Sequence, residues 1–177
     1  MVLLRAKEAT IYVGAPLASV GTTTTLYTQI TGTTDYSARV KSVEISGAEA
    51  DTETVYLFGS DANGRQNAEV EEQNMTDREF SGTLVYIDNV PASWAGGATT
   101  TIGSTGYTRA QGDGSRPQRA ILLKFVDSSG DILHVVMNNA RFTKMGDISL
   151  DAEGHAEQEV TAKCLAKDYY EEFYNVA

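Results

Sequence analysis

The chain has 177 residues, 14 Lys and Arg against 24 Asp and Glu, and a formal net charge of −10. That length fits one domain with extensions and a core that needs no staples, and the single cysteine, Cys164, excludes an intramolecular disulfide framework and a Cys-rich zinc site. The acidic balance argues against a protein that grips phosphate backbones, since that takes Lys and Arg to displace counterions; no apolar run nears the ~18 residues of a spanning helix, and residues 1–25 lack a signal peptide's apolar core.

Twenty Thr and 16 Gly against three Pro favour antiparallel strands joined by Gly turns, and few stretches keep a helical period beyond two turns. In chain order, residues 8–13 predict a short strand ended by Gly14-Ala15-Pro16. Residues 17–37, low in complexity around Thr22 to Thr25 with one apolar patch from Leu26 to Ile30, predict an extended arm or long loop. VKSVEIS (40–46) alternates, with Val43 and Ile45 on one face and Ser42, Glu44 and Ser46 on the other. ETVYLFG (53–59) predicts a second strand, followed by a turn at Asn63-Gly64. QNAEVEEQ (66–73) is the most acidic strand candidate, with Glu69, Glu71 and Gln73 on one face. REFSGTLVYID (78–88) is expected to pair with it across a turn at residues 74–77, with Phe80, Leu84 and Tyr86 on a shared face.

Pro91 suits the first turn of a short helix over residues 91–95, and residues 95–116, rich in Gly, Thr and Ser, predict a long loop. RAILLKFVD (119–127) and ILHVVMNN (132–139), separated by Ser128-Ser129-Gly130-Asp131, predict a hairpin whose continuous apolar runs suit strands covered on both faces. Residues 140–150 predict a further strand bent at Gly146. HAEQEVTAKCLA (155–166) alternates, with Ala156, Val160, Ala162 and Cys164 opposite His155, Glu157, Glu159, Thr161 and Lys163. The tail, residues 168–177, predicts a short helix or docking arm. Some eight strands with turns at this spacing predict a mainly β fold, a β-sandwich or split barrel with a short flanking helix, in a single domain over residues 1–177.

The residues offer little chemistry. His134 and His155 form no metal-binding pair, and turn formation accounts for Asp61, Asn63, Asp127 and Asp131 without calcium. No Gly-x-Ser-x-Gly elbow occurs, and Cys164 lies on the apolar face of its strand. No catalytic residue, metal site or cofactor is expected. What remains is a domain with acidic strand faces, long Thr-rich segments and an aromatic tail, the features of a subunit that assembles.

Three stretches carry a family resemblance: VKSVEISGAEADTETVYLFG, EVEEQNMTDREFSGTLVYIDN and ILHVVMNNARFTKMGDISLDAEGHAEQEVTAKC, together a little over 40% of the chain. They resemble the long hairpin, the paired strands before a short helix, and the closing strand pair of the major tail tube proteins of long-tailed, siphovirus-like viruses. The resemblance implies hexameric rings that stack into a conduit for double-stranded DNA, with inner sheets joined into a ring-wide β-barrel. Four strands from each of six subunits, at ~4.8 Å spacing and ~40° tilt, give a backbone diameter of ~48 Å and a bore of roughly 35–40 Å. It also implies a place in the virion tail, assembly in the host cytoplasm, and contacts with the tape measure, tail terminator and tail-tip proteins, with no membrane insertion. Glu44, Glu69, Glu71, Glu157 and Glu159 are the candidates for an acidic lumen wall. Residues 17–37, 95–116 and 168–177 are expected mostly at subunit contacts, with Leu26, Tyr27, Ile30, Tyr169, Tyr170 and Phe173 as the contact candidates. A secretion-system tube subunit, a monomeric virion decoration or carbohydrate-binding module, and a small β-fold hydrolase are the alternatives.

Overall fold

The computed structural model describes residues 6–21, 24–31, 34–47, 50–56, 69–75, 77–85, 98–102, 107–111, 116–149 and 156–174. Its strands are β1 (Ala6–Gly14), β2 (Thr34–Ser46), β3 (Ala50–Tyr56), β4 (Glu69–Met75), β5 (Arg78–Val85), β6 (Ala98–Ile102), β7 (Tyr107–Gln111), β8 (Arg119–Asp127), β9 (Ile132–Ser149), β10 (Glu157–Cys164) and β11 (Tyr169–Tyr174). One helix, α1 (Leu26–Thr31), lies between β1 and β2. Six strands pair antiparallel in the order β10-β5-β2-β1-β8-β9, and β9 returns to β10, which closes a barrel. β11 adds to β9 outside that ring, and β3–β4 and β6–β7 form two separate ribbons.

Side-chain alternation fills the barrel. Ile11 and Val13 of β1, Phe80 and Leu84 of β5, Ile121 and Leu123 of β8, and Val160 and Ala162 of β10 point inward and are buried. β8 is buried on both faces, as its unbroken apolar run predicts: Ala120 and Leu122 turn outward beneath α1 with Leu26, Ile30 and Val136. Gly82 sits between Phe80 and Leu84, and a Cβ there would lie 2.8 Å from the Phe80 ring and 2.9 Å from the Ser42 carbonyl oxygen. Only a glycine lets the Phe80 ring lie flat along its own strand.

Bulges decide the topology. β2 pairs with β1 through Thr34–Arg39 and with β5 through Arg39–Ser46, with an extra residue inserted at Lys41. The insertion moves the inward set from Ala38 and Val40 to Val43 and Ile45. β9 pairs through Ile132–Met137 with β8 and β11, then through Arg141–Ser149 with β10. Between those halves Asn139 adopts φ +52°, a conformation Asn tolerates, and the register against β8 shifts. The neighbouring Asn138 is buried, its side-chain amide bonding to both the N–H (2.9 Å) and the carbonyl (3.1 Å) of Leu17. Strands β2 and β9 thereby each leave one layer and join the other. One layer is the N-terminal half of β2 with β1, β8, the start of β9 and β11. The second is the C-terminal half of β2 with β5, β10 and the end of β9.

Several expectations are corrected. The arm over residues 17–37 contains α1, nucleated by Thr25, whose Oγ1 accepts the Thr28 N–H at 3.1 Å, and anchored by Leu26 and Ile30 one turn apart. The tail is no helix: a 3₁₀ turn at Ala166–Asp168 leads into β11. Residues 95–116 are no plain loop, since β6 and β7 form a hairpin there. β4 pairs with β3, while β5 pairs with β2 and β10, so the expected pairing of residues 66–73 with 78–88 does not occur among the described residues. The two strands expected over residues 132–139 and 140–150 are one, β9, through Ser149. The expected helix at 91–95, Tyr86, Asn63-Gly64 and His155 lie outside the described residues.

Candidate assembly surface

The two layers differ in what covers them. Helix α1 lies over β1 and β8 on the first, with Tyr12, Leu17, Val20, Tyr27 and Tyr170 sealing it. No described element covers the outer face of the second, β2–β5–β10–β9. Cross-strand register sets its side chains in rungs. Glu44, Ser81, Thr161 and Lys144 share one rung; Ser46, Glu79, Lys163 and Arg141 share the next; Ser42, Thr83 and Glu159 share a third. Hydroxyls link neighbouring strands, with Ser42 Oγ donating to Thr83 Oγ1 at 3.1 Å and Ser81 and Thr161 at 3.4 Å.

Charges on this face are balanced. Arg39, Lys41, Arg141, Lys144 and Lys163 stand against Glu44, Glu79, Asp147, Glu157 and Glu159, five of each sign. Three pairs form across strands: Lys41–Glu157 at 2.8 Å, Lys144–Glu159 at 3.3 Å and Lys163–Glu79 at 2.6 Å. Glu79 raises the Lys163 pKa by hydrogen bonding and by its charge. Such exposed pairs contribute little to stability, so they tune the face and do not hold the fold.

The layer also has open sides. Among the described residues, β2 beyond Arg39 has a strand only on its β5 side, and β9 beyond Ala140 has one only on its β10 side. The four strands alternate in direction, so both flanks offer antiparallel backbone hydrogen-bonding groups over similar lengths.

On the covered layer, Glu172 of β11 ties the helix down. Its carboxylate accepts the Leu26 N–H at 3.0 and 3.1 Å and the Tyr174 hydroxyl at 2.8 Å. Beneath it lies buried His134, stacked on Tyr27 (centroids 5.0 Å, 9° between planes) and edge-on to Tyr174 at 5.2 Å. The His134 Nδ1 is 3.8 Å from the Glu172 carboxylate, too long for a direct hydrogen bond, and neither ring nitrogen has a hydrogen-bond partner among the described residues.

The sequence-derived candidates divide accordingly. Glu44, Glu157 and Glu159 share the uncovered face. Glu69 and Glu71 lie on the separate β3–β4 ribbon, opposite Tyr56 and Thr54. That ribbon carries Asp51, Glu53, Glu69, Glu71 and Glu72 and no cation, so much of the acidic excess sits there. Leu26 and Ile30 are buried in their own chain, Tyr27 and Tyr170 pack beside them, and Tyr169 packs on the barrel core under Arg78, 4.4 Å from its ring. Phe173 alone of the six remains half exposed, at 50%. Sequence reasoning missed the lysines facing Glu157, Glu159 and Glu79 and the helix-binding role of Glu172, because each depends on cross-strand register or tertiary packing.

Among the described residues, no three His, Cys, Asp or Glu side chains come together to hold a metal. Burial, with Asp168 and Asp77 nearby, pushes the Cys164 thiol up to about 12, far from a reactive thiolate.

No protein-family model matches the chain, and no curated protein matches it. Among solved structures, a chain of the cryo-EM structure of an extracellular contractile injection system, the PVC sheath–tube complex in the extended state, is similar at 14% identity. Its TM-score is 0.46, covering 97% of this chain and 93% of that one. The sheath/tube terminator of such a system, also in the extended state, gives 13% identity and 0.44 over 97% and 98% of the two chains. The anti-feeding prophage tube-terminating cap gives 12% and 0.41 over 77% and 83%. At these scores the likeness carries no weight for assembly or activity.

Proposed function

We propose that this chain is a structural, non-catalytic subunit of a hollow tail tube. The observation that carries the reading is the four-stranded layer β2–β5–β10–β9, whose outer face is polar and, among the described residues, uncovered and without strands on its two flanks. An open flank invites a further strand, and β9 of one copy meets β2 of the next as an antiparallel pair. A heterologous contact of this kind generates a ring when its rotation closes. Six copies make a 24-strand wall, and the polar face turns inward because the opposite side of each subunit is taken up by its own core.

Short Ser and Thr side chains and balanced charge give that wall no site where a polyanion is gripped. The β3–β4 ribbons supply negative charge wherever they reach the bore. Rings stack into a conduit for double-stranded DNA in a virion tail, assembled in the host cytoplasm, and the tube's ends and contents supply the remaining partners: terminator, tail-tip and tape measure proteins. Size-exclusion chromatography and negative-stain electron microscopy of the purified protein test this. Sixfold rings or tubes with a bore of roughly 35–40 Å are expected from the strand arithmetic, and a monodisperse ~19 kDa species at all concentrations overturns it.

A further inference from the structure

Strand β11 ends its layer. It pairs with β9 on one side, and among the described residues no strand lies on the other. Tyr170, Glu172 and Tyr174 face α1, so Tyr169, Glu171 and Phe173 face the opposite way. On that side Phe125, Leu133 and Phe173 form one cross-strand row, from β8 through β9 to the free edge. The row ends in a phenyl ring left 50% exposed. It borders an open groove of about 470 Å³ between the layers, walled by Val43, Ile45, Phe125 and Leu133 and rimmed by Glu171. A row of apolar side chains reaching an unpaired edge is the arrangement that another strand completes.

Two ribbons have outer edges that pair with no strand among the described residues. β3–β4 is uniformly acidic and would set like charges beside Glu171 and Glu172, which is destabilising. β6–β7 has no acidic residue and one cation, Arg109. One antiparallel alignment matches β7 to β11 residue by residue. Tyr107 falls opposite Phe173, Arg109 opposite Glu171 and Gln111 opposite Tyr169, all on the groove side. The alignment shifted by one sets Arg109 against Glu172, whose carboxylate is already used by Leu26 and Tyr174. Glu171 is exposed and, among the described residues, accepts only the Tyr169 hydroxyl, at 2.6 Å.

We infer that the β7 edge of the β6–β7 ribbon of a second copy of this chain adds antiparallel to β11, with Tyr107 against Phe173 and Arg109 against Glu171. Among the described residues β7 pairs only with β6 of its own chain, so the occupant is another copy. The inference rests on the self-assembly proposed above and adds a contact separate from the β9–β2 seam.

The test mixes two singly substituted proteins, Tyr107→Cys and Phe173→Cys, under mild oxidation; the native Cys164 is buried. A disulfide-linked heterodimer that forms in the mixture, and far less when Thr108→Cys replaces Tyr107→Cys, supports the contact and its register. Equal yields from both mixtures, or no heterodimer under conditions where the mixture shows rings or tubes, overturn the contact and leave the tube reading standing. Absence of any wild-type assembly overturns both. Independently, Arg109→Glu is expected to raise the concentration needed for assembly by about tenfold, through like-charge apposition. Adding Glu171→Arg to the Arg109→Glu chain is expected to restore it; a double variant as impaired as the single one overturns the pairing.

Discussion

Replacing Glu172 by Ala isolates what fastens α1 and β11 to the barrel. The substitution removes the acceptor of the Leu26 N–H, one of the donors a helix N-terminus leaves unpaired, and the acceptor of the Tyr174 hydroxyl. The Glu172 side chain is 24% exposed, so water replaces these bonds only in part. Hydrogen bonds to a charged acceptor are worth about 1.5–3 kcal/mol each when buried, and at this exposure the pair should cost about 2–3 kcal/mol together. For a domain of this size that is a fall in Tm of about 4–12 °C. The 3.8 Å separation from His134 adds little, so the same cost, within about 0.5 kcal/mol, should appear in a His134→Phe background. Urea denaturation of Glu172→Ala, with Glu171→Ala as control, measures it. Glu171 is exposed, and its loss should stay within about 0.5 kcal/mol of wild type. Equal effects of the two substitutions would falsify the anchoring role of Glu172.

Three further outcomes follow from the same geometry. Burial holds the His134 pKa below 6.5 and Lys124 adds to this, while Glu172 opposes it; with Tyr27 and Tyr174 closing its other sides, the fold favours the neutral ring over the charged one. As pH falls below about 6.5 the unfolded chain binds the proton first, so stability should drop until the folded-state pKa is passed. His134→Phe should flatten that part of a stability-versus-pH curve, and an unchanged slope contradicts the assignment. Gly82→Ala should cost about 1–3 kcal/mol, because its Cβ meets the Phe80 ring at 2.8 Å and the Ser42 carbonyl at 2.9 Å; a variant as stable as wild type in urea shows that the strand yields freely. Across the proposed β9–β2 seam, Glu44 and Lys144 stand on equivalent rungs at opposite flanks. Glu44→Lys should therefore slow ring formation, and Lys144→Glu added to it should restore the rate; light scattering that shows no rescue excludes their apposition.

The β8–β9 hairpin was legible because Ala120 to Leu123 and Val135 to Met137 are apolar without a break, and both faces prove to be covered. Its turn was legible too: Asp127 Oδ1 accepts the N–H groups of Ser129 (2.8 Å) and Asp131 (2.9 Å). Alternation in β10 placed Glu157 and Glu159 on the outside, and alternation in the second half of β2 did the same for Glu44. Alternation fails where a bulge changes its phase, as at Lys41 and Asn139, so β9 read as two strands and the start of β2 as part of an arm. Helix α1 has six residues in a Thr-rich stretch, too short for its period to show, although Thr25 as cap with Leu26 and Ile30 one turn apart was a usable signal. In β11 the aromatic residues favour a strand, and the Glu pair masked that preference. Strand partners of β4 and β5, and the lysines facing the Glu candidates, depend on contacts distant in sequence, which no local pattern encodes.

A cryo-EM reconstruction of the assembled protein tests the central claim most directly. Rings should show β9 of each copy hydrogen-bonded to β2 of the next and the Ser81–Thr161 face of every subunit lining the bore, with α1 on the outside. A reconstruction with α1 toward the axis, or with the β2–β5–β10–β9 face on the outer surface, contradicts the account.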